Sequence, residues 1–448
     1  MSEIQGQIAH DLSKAAQTPR ADAHLDSAIA KATARLIPFL CLAYIVNFLD
    51  RVNVGFAALH MNQDLGFTPA VYGFGAGIFF LGYILCEVPS NLALHRFGAR
   101  IWIARIMISW GLVACAMSLV WDETSFYVMR FLLGVAEAGF FPGVILYLTY
   151  WFPAETRARI VAVFMASVPL ATVFGGPISG ALLEMDGIGG LDGWHWLFII
   201  EGVPAIVLGV LALKILTDKP ADADWLSPEE RRALTTRIEH EDNAAKAVGY
   251  SDIGAAMTQP KVLALGLLWF LIVIGLYGMG FWLPQVIQGF GLDDLSIGFI
   301  TAIPYFFAAV GMVLWGRHSD QTGERRWHIA LPLLLGAAAF AWSAHAEPLV
   351  PTVISLTLAA VGFYAALGPV WSLPTAFLAG TGAAAGLALV NSIGNIAGFV
   401  GSYVVGLLKE LTGSFSAGLL FLAGALALGA LMALCFRNPS ALGKTDER

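Results

Sequence analysis

Long apolar runs separated by short polar connections are the dominant pattern of this 448-residue chain. A run of about twenty residues suffices for a helix to cross roughly 30 Å of hydrocarbon. The runs do not alternate with a period of two residues, so the pattern favours helices and excludes a membrane β-barrel. The sequence predicts twelve spans, at roughly 36–60, 70–94, 100–121, 125–150, 158–184, 195–216, 262–287, 295–316, 328–346, 350–378, 384–408 and 414–436.

One long charged segment, 218–259, divides these spans six and six. Within it, Ser227 followed by Pro228 is typical of a helix start, with serine as the cap. We therefore predict an all-α polytopic membrane protein with two six-helix halves. Its predicted parts are a cytoplasmic tail 1–35, an N-terminal half 36–216, a cytoplasmic linker 217–261, a C-terminal half 262–436 and a cytoplasmic tail 437–448.

The two halves resemble repeats of each other. Gly175, Gly180 and Glu184 recur 226 residues later. This offset is about half the chain length, which indicates duplication. Two six-helix halves of this kind suit alternating access around a central site.

Basic residues fix the predicted orientation. Lys and Arg occur in every second connection and are absent from the alternate connections 61–69, 122–124, 185–194, 288–294 and 347–349, with Lys409 as the exception. By the positive-inside rule, both termini and the linker are expected on the cytoplasmic side.

Composition and motif content narrow the function. Hydrophobic residues make up 58% of the chain and charged residues 13%, against about 25% charged in soluble domains. The net charge of −7 without a basic stripe argues against a nucleic-acid partner. The four cysteines form no CxxC pair, and neither a phosphate-binding loop nor a catalytic or metal-ligand motif is present. We expect no cofactor, no enzyme activity and no metal, and a monomer in the bilayer.

Four sequence segments together resemble one family. Asn47–Ala57, Pro89–Arg100, Arg130–Pro142 and Trp151–Arg159 are similar to signatures of the anion:cation symporter family of the major facilitator superfamily. Within that family the chain looks most like tartrate, 4-hydroxyphenylacetate and phthalate permeases. The resemblance covers nearly the whole chain. It implies uptake of a small organic anion with protons across the bacterial inner membrane.

The superfamily's cytoplasmic loop motif occurs twice, and we expect both copies to act at a gate. The second copy is intact, whereas the first has Asn91 and His95 where glycine and aspartate are usual, which puts a symmetric gate in doubt. The expected gate residues are Arg96, Gly98, Arg100, Gly316, Asp320, Gly323 and Arg325.

Charged residues within the spans are candidates for function, because a charge at the bilayer centre costs about 2.5–3.5 kcal/mol on insertion scales. Asp50, Arg51, Arg130 and Glu137 lie in the first and fourth spans. We expect Asp50 and Glu137 to carry protons, since burial of a carboxylate favours its protonated form. Arg51 offers a planar fork for a substrate carboxylate, and Arg130 is expected to pair with Glu137. The alternative is a static ion pair that joins two helices.

For the uncharged candidates, a role in substrate binding and a role in helix packing are about equally well supported by the sequence. We expect Tyr83, Asn391, Asn395 and Trp371 to contact the substrate. Glu87, Arg105 and Tyr277 stay unassigned. Three residues are expected at the outer membrane interface: Trp194, His195 and Glu201.

Three function classes remain at this point. The first is a proton-coupled importer of organic acids, with the acid unspecified between hydroxy acids such as tartrate and aromatic carboxylates. The second is an exporter of drugs or metabolites with the same fold, faintly suggested by the Gly175–Gly180 segment. The third, a membrane enzyme or receptor, lacks any catalytic constellation or ligand-binding ectodomain.

Overall fold

The computed structural model describes residues 2–247, 258–373 and 380–436. This part of the chain is almost entirely helical. The helices are α1 Ser2–Val52, α2 Val54–Asp64, α3 Pro69–Phe97, α4 Ala99–Ala116, α5 Glu123–Glu137, α6 Phe140–Trp151, α7 Ala154–Met165, α8 Ser167–Leu183, α9 Gly193–Ile215, α10 Pro228–Ala247, α11 Pro260–Gln288, α12 Asp294–Thr322, α13 Arg326–Ser343, α14 Leu349–Trp371, α15 Gly380–Thr412 and α16 Ser416–Cys435.

Eleven helical segments of the described chain are long and apolar enough to cross a membrane. They confirm the predicted polytopic all-α fold. Three of them are interrupted helices: α1–α2, α5–α6 and α7–α8. The remaining predicted span, 328–346, corresponds to α13, whose first turn contains Arg326 and His328 and therefore shortens its apolar stretch. The tail 437–448 and residues 374–379, which end the predicted span 350–378, lie outside the described residues.

Helix packing repeats between the halves. α4 packs on α9 as α13 packs on α16, and α3 packs on α5 as α12 packs on α14. The halves meet through two matching crossings, α8 with α12 and α15 with α3. The glycines at the 226-residue offset occupy equivalent places: Gly180 lies against α12, and Gly406 lies against the start of α3. The predicted pseudo-repeat is thus visible in the packing itself.

Glycine permits these crossings. A Cβ at Gly176 would lie 2.6 Å from the carbonyl oxygen of Gly298, closer than real Cβ atoms approach. At the other crossing, a Cβ at Gly73 would lie 2.7 Å from the carbonyl oxygen of Ser402. Small residues let membrane helices approach backbone to backbone.

The linker helix α10 is attached to the N-terminal half. Glu230 accepts hydrogen bonds from Ser27 Oγ at 2.6 Å and Lys31 Nζ at 2.9 Å, both on α1. Arg237 donates to Glu155 Oε1 at 2.8 Å, at the start of α7. We call the end of the bundle that carries α10 the linker side. The opposite end, which contains Asp64 and Asp294, we call the far side.

Candidate functional site

A buried ion pair lies where two interrupted helices meet. Arg51 is the penultimate residue of α1, and Glu137 is the last residue of α5, before a break at Gly139 with φ +86°. Arg51 Nε donates to Glu137 Oε1 at 2.9 Å, and its Nη2 donates to the same oxygen. The break lies two residues after Glu137, so the carboxylate is at the end of α5, where Arg51 of α1 binds it.

The C-terminal half completes this cluster. Arg51 Nη1 donates to the hydroxyl of Tyr277, on α11, at 2.9 Å. The rings of Phe79 and Tyr83 on α3 lie 5.2 and 5.3 Å from the guanidinium carbon, within the range of cation–π attraction. Tyr83 therefore lies at the site, as a ring contact, and Tyr277 joins it although the sequence left it unassigned. The cluster bridges both halves through a single guanidinium.

Arg130 does not pair with Glu137, and that expectation was wrong. Arg130 lies seven residues earlier in α5, about 10 Å along the helix axis. It is fully buried, and its Nη2 donates to the carbonyl of Ala76 at 3.2 Å. Its Nε and Nη1 have no hydrogen-bond partner among the described residues. Arg130 thus presents two unpartnered donors beneath the ring of Phe79.

Asp50 faces away from the ion pair although it precedes Arg51 in sequence. Its Oδ2 accepts a hydrogen bond from Trp110 Nε1, on α4, at 2.9 Å. Successive residues of a helix point about 100° apart, so one side chain faces the centre of the protein and its neighbour faces the interior of the half. Asp50 and Arg51 therefore face different parts of the protein: Asp50 faces the interior of the N-terminal half, and Arg51 faces the centre between the halves.

The substrate-contact candidates of the C-terminal half also face different surroundings: one contacts the opposite half and another contacts its own half. Asn391 donates to Glu87 Oε1, across the two halves, at 3.0 Å. Asn395 is half-buried on the same helix, α15. Trp371 is also half-buried and packs edge-on against Trp269, with ring centroids 4.9 Å apart. The structure brings Asn391 and Glu87 together and leaves Trp371 in an aromatic contact within its own half.

The expectation that Glu201 lies at the membrane interface was also wrong. Its side chain is buried in the N-terminal half, where Ser179 Oγ donates to it at 2.7 Å. Its bond with Ser179 places this face of α9 against α8, in the interior of the half. Trp194 is buried too, with its Nε1 donating to Asp64 at 3.0 Å. A charge within an apolar span is costly, and this argument, which singled out Asp50, could have singled out Glu201 as a buried functional candidate as well.

The two loop motifs of the linker side have different structures. In the second copy, Arg325 pairs with Asp320 at 2.8 Å, and Gly323 ends α12 with φ +65°. Gly316 has open space around it. In the first copy, Gly98 has φ +87°, and the backbone N–H of Arg100 donates to Asp218 at 2.8 Å.

Arg96 of the first copy is exposed, and its guanidinium lies over the ring of Phe97. Asp218, just after α9, thus supplies a carboxylate to the copy in which histidine replaces the usual aspartate. Arg105, left unassigned by the sequence, lies over the ring of Trp102 at 4.0 Å on α4.

The far side is closed between the halves. His60 contacts Asp294 at 2.7 Å, Gln288 donates to the carbonyl of Leu59 at 2.9 Å, and Glu410 accepts from the backbone N–H of Ala70 at 2.9 Å. At the linker side, α6 and α7 pack on helices of their own half. The ion pair therefore lies below a sealed far side.

Known proteins that resemble this chain are membrane transporters. A model of the Major Facilitator Superfamily matches residues 40–402. A relative from Agrobacterium vitis named "Putative tartrate transporter" is 53% identical over 412 residues, covering 92% of each chain. A relative from Acinetobacter baumannii named "Quinolone resistance transporter" is 42% identical, covering 90% of this chain and 93% of its own. The xylose transporter XylE from E. coli shares the fold, with TM-score 0.72 and 16% identity, over 91% of this chain and 98% of its own.

Proposed function

Because the chain belongs to the Major Facilitator Superfamily, we propose that it takes up a small organic anion together with a proton by alternating access. Its family and relatives are transporters, so the chain is a multi-pass membrane transporter and not an enzyme. The observation that carries the proposal is the buried Arg51–Glu137 pair, bridged by Tyr277 to the opposite half. The proposed cargo is a hydroxy acid such as tartrate, or an aromatic carboxylate.

The proposed coupling is a competition for Arg51. While Glu137 is ionised, its carboxylate occupies two of the guanidinium donors. When a proton binds Glu137, an O–H bond forms and the carboxyl group loses its charge. Arg51 then presents its planar fork to the substrate carboxylate, which it can bind in a bidentate manner. One proton that crosses with the anion reduces the net negative charge moved by one.

Other site residues have supporting roles in this proposal. The unpartnered donors of Arg130 suit a second oxygen of the substrate once the halves have moved. Tyr277 links the state of Arg51 to the C-terminal half, because it loses its bond when the halves separate. Asn391 and Glu87 form a second polar contact between the halves. We propose Asp50 as a further proton carrier.

The alternative is export of a drug or metabolite by the same fold. The relative named for quinolone resistance supports it. Two buried arginines near the centre favour an anionic cargo over a cationic drug. The more similar relative is named for tartrate, which agrees with the anion proposal.

Proteoliposome transport under an imposed pH gradient tests the proposal, with tartrate, 4-hydroxyphenylacetate and a fluoroquinolone as cargoes. We expect gradient-driven accumulation of a carboxylate by the wild type. Glu137→Gln mimics the protonated acid, so it should lose accumulation and retain counterflow exchange. Glu123→Gln, in an exposed position on the same helix, is the matched control and should keep both. Accumulation that survives in both Asp50→Asn and Glu137→Gln would refute the coupling.

Orientation is proposed on the basis of the Lys and Arg distribution. We infer that the protein lies in the bacterial cytoplasmic membrane with both termini and the linker side in the cytoplasm. Single cysteines at Glu229 and Asp186 should then react with an impermeant thiol reagent from opposite sides. Reaction of both from outside intact cells would overturn this topology.

A further inference from the structure

A row of buried polar side chains runs along the inner face of α1. Asn47 and Asp50 on α1 and Asn53 just after its end are spaced by three residues, so they lie on one side of this segment. They are at most 2% exposed, and Glu201 on α9, 4% exposed, extends the row towards the far side. The row lies within the N-terminal half, apart from the interface where Arg51 meets Tyr277.

Many polar atoms of this row are unpartnered. Asn53 lies beside the Glu201 carboxylate and Asn47 beside that of Glu137, but neither pair reaches hydrogen-bond geometry. Asp50 Oδ1, Glu201 Oε2 and Glu137 Oε2 have no hydrogen-bond partner among the described residues. Buried polar groups in native proteins are almost always satisfied, by protein or by water. So many unpartnered atoms in a single row point to a role that requires them.

Asp50 and Glu201 also lack a counter-charge. Within the described side chains, Asp50 is bonded by Trp110 and Glu201 by Ser179, and neither forms a salt bridge. An ionised carboxylate buried in this way is so costly that the neutral acid, which carries a proton, is favoured.

The elements packed around Glu201 add little charge. Asp50 on α1 faces it, Cys115 on α4 faces Asp50, and α2 contributes His60 and Asp64 nearer the far side. Helix α8 has no acidic or basic residue. Among the residues that the structure describes, no lysine or arginine therefore lies against Glu201.

We propose that Glu201 is a third proton-carrying carboxylate, and that this row conducts protons to Glu137 by a route separate from the substrate's path. The inference rests on the proposed proton coupling. The proton of Asp50 passes to Glu137 Oε2, the proton on Glu201 Oε2 then replaces it on Asp50 Oδ1, and a proton from the far side restores Glu201, so that each O–H bond broken is matched by one formed. The amides of Asn47 and Asn53 can hold the bridging water molecules that such transfers need.

The position of Glu201 gives this route a direction. It lies eight residues after Gly193, the far-side start of α9, which places it about 12 Å along the helix from that end. The far side is sealed between the halves in this structure, so a substrate cannot enter there. A proton that moves within the N-terminal half does not need that seal to open. Glu137 can therefore be protonated before or after the substrate binds.

Transport by Glu201→Gln in proteoliposomes tests the inference. We expect counterflow exchange and substrate Kd to stay near wild type, because Glu201 does not contact the substrate site. Accumulation driven by a pH gradient should fall at least about tenfold, since positioned proton transfer contributes this much or more. Glu201→Asp should restore part of it. Glu184→Gln, exposed at the far side, is the matched control and should behave as wild type.

The controls separate the possible failures. If Glu137→Gln abolishes accumulation while Glu201→Gln keeps the wild-type rate and pH profile, the inference fails and the proposed function stands. If Glu137→Gln has no effect either, the coupling proposal fails first. Should Glu201→Gln not fold, Asn53→Ala, which removes a water-holding amide and keeps the acid, should show the same loss of accumulation with intact exchange. Accumulation driven by a sodium gradient without a pH gradient would also overturn the proton route.

Discussion

Replacing Gly176 by alanine should open the far side of the transporter. Gly176 on α8 faces α12, where an added Cβ would lie 2.6 Å from the Gly298 carbonyl oxygen and 2.9 Å from Thr301 Oγ1. The first of these is a backbone atom, which cannot move by a change of rotamer. The methyl group therefore forces the halves apart at this crossing. If access alternates, the state that is open at the far side lacks the crossing and tolerates the methyl group.

The size of the effect follows from overpacking. Extra methyl groups in a close-packed contact cost about 1–3 kcal/mol. Applied to one state only, this free energy shifts the conformational equilibrium by roughly 5-fold to 150-fold towards the far-side-open state. The open state is expected to be unstrained by the substitution, because the crossing is absent from it.

A buried cysteine reports the shift. Ser402, fully buried at the matching crossing of α15 and α3, can be replaced by cysteine with little change in size in a background without native cysteines. Its rate of reaction with an impermeant reagent from the far side should rise with Gly176→Ala. Gly424→Ala, where no atom lies within 4 Å of the added Cβ, should change nothing. Gly362→Ala strains a contact within the C-terminal half, 2.6 Å from Pro332 O, and should lower thermal stability in both states alike.

An unchanged Ser402→Cys labelling rate in Gly176→Ala would refute this reasoning, above all if the thermal midpoint fell as it does for Gly362→Ala. The crossing would then be rigid in every state. Alternating access would have to open the far side at another contact.

Three further perturbations follow from single contacts. Arg51→Lys keeps the charge but loses the fork to Glu137 Oε1 and Tyr277, so substrate Kd should weaken by roughly 10-fold to 100-fold, which is about 1.4–2.8 kcal/mol; an unchanged Kd contradicts the assigned role. Asp320→Asn removes the 2.8 Å pair with Arg325 and should slow transport without changing Kd in detergent; an unaltered rate removes this loop from the gate. Hydrogen bonds from Lys31 and Ser27 lower the pKa of Glu230 to about 2, so its contribution to stability is complete above the usual glutamate pKa and is lost as pH falls from about 4.5 to 2. Thermal midpoints between pH 6 and 3 should fall further for wild type than for Glu230→Gln, and equal slopes would exclude this contact as the cause.

Much of the architecture could be predicted from the sequence alone. Apolar runs of membrane length and the absence of period-two alternation determine helices, because lipid offers the backbone no hydrogen-bond partner. The recurrence of Gly175 and Gly180 as Gly401 and Gly406 indicated the repeat, which the matching helix crossings confirm. The charges within spans located Arg51 and Glu137 as candidates, since each is too costly in lipid to lack a partner.

Only the tertiary structure decided which charges meet. The sequence assigned Arg130 to Glu137 by helical spacing, but the two lie two turns apart on α5, and Arg51 of α1 donates to the carboxylate instead. Asp50 and Arg51 are neighbours in the chain, yet Asp50 faces the interior of the N-terminal half and Arg51 faces the centre between the halves. Glu201 is buried in the protein and does not lie at the membrane interface. Local periodicity records only whether a residue prefers lipid, protein or water. Partner choice depends on where the helices cross, and that is set by contacts between residues that are distant in sequence.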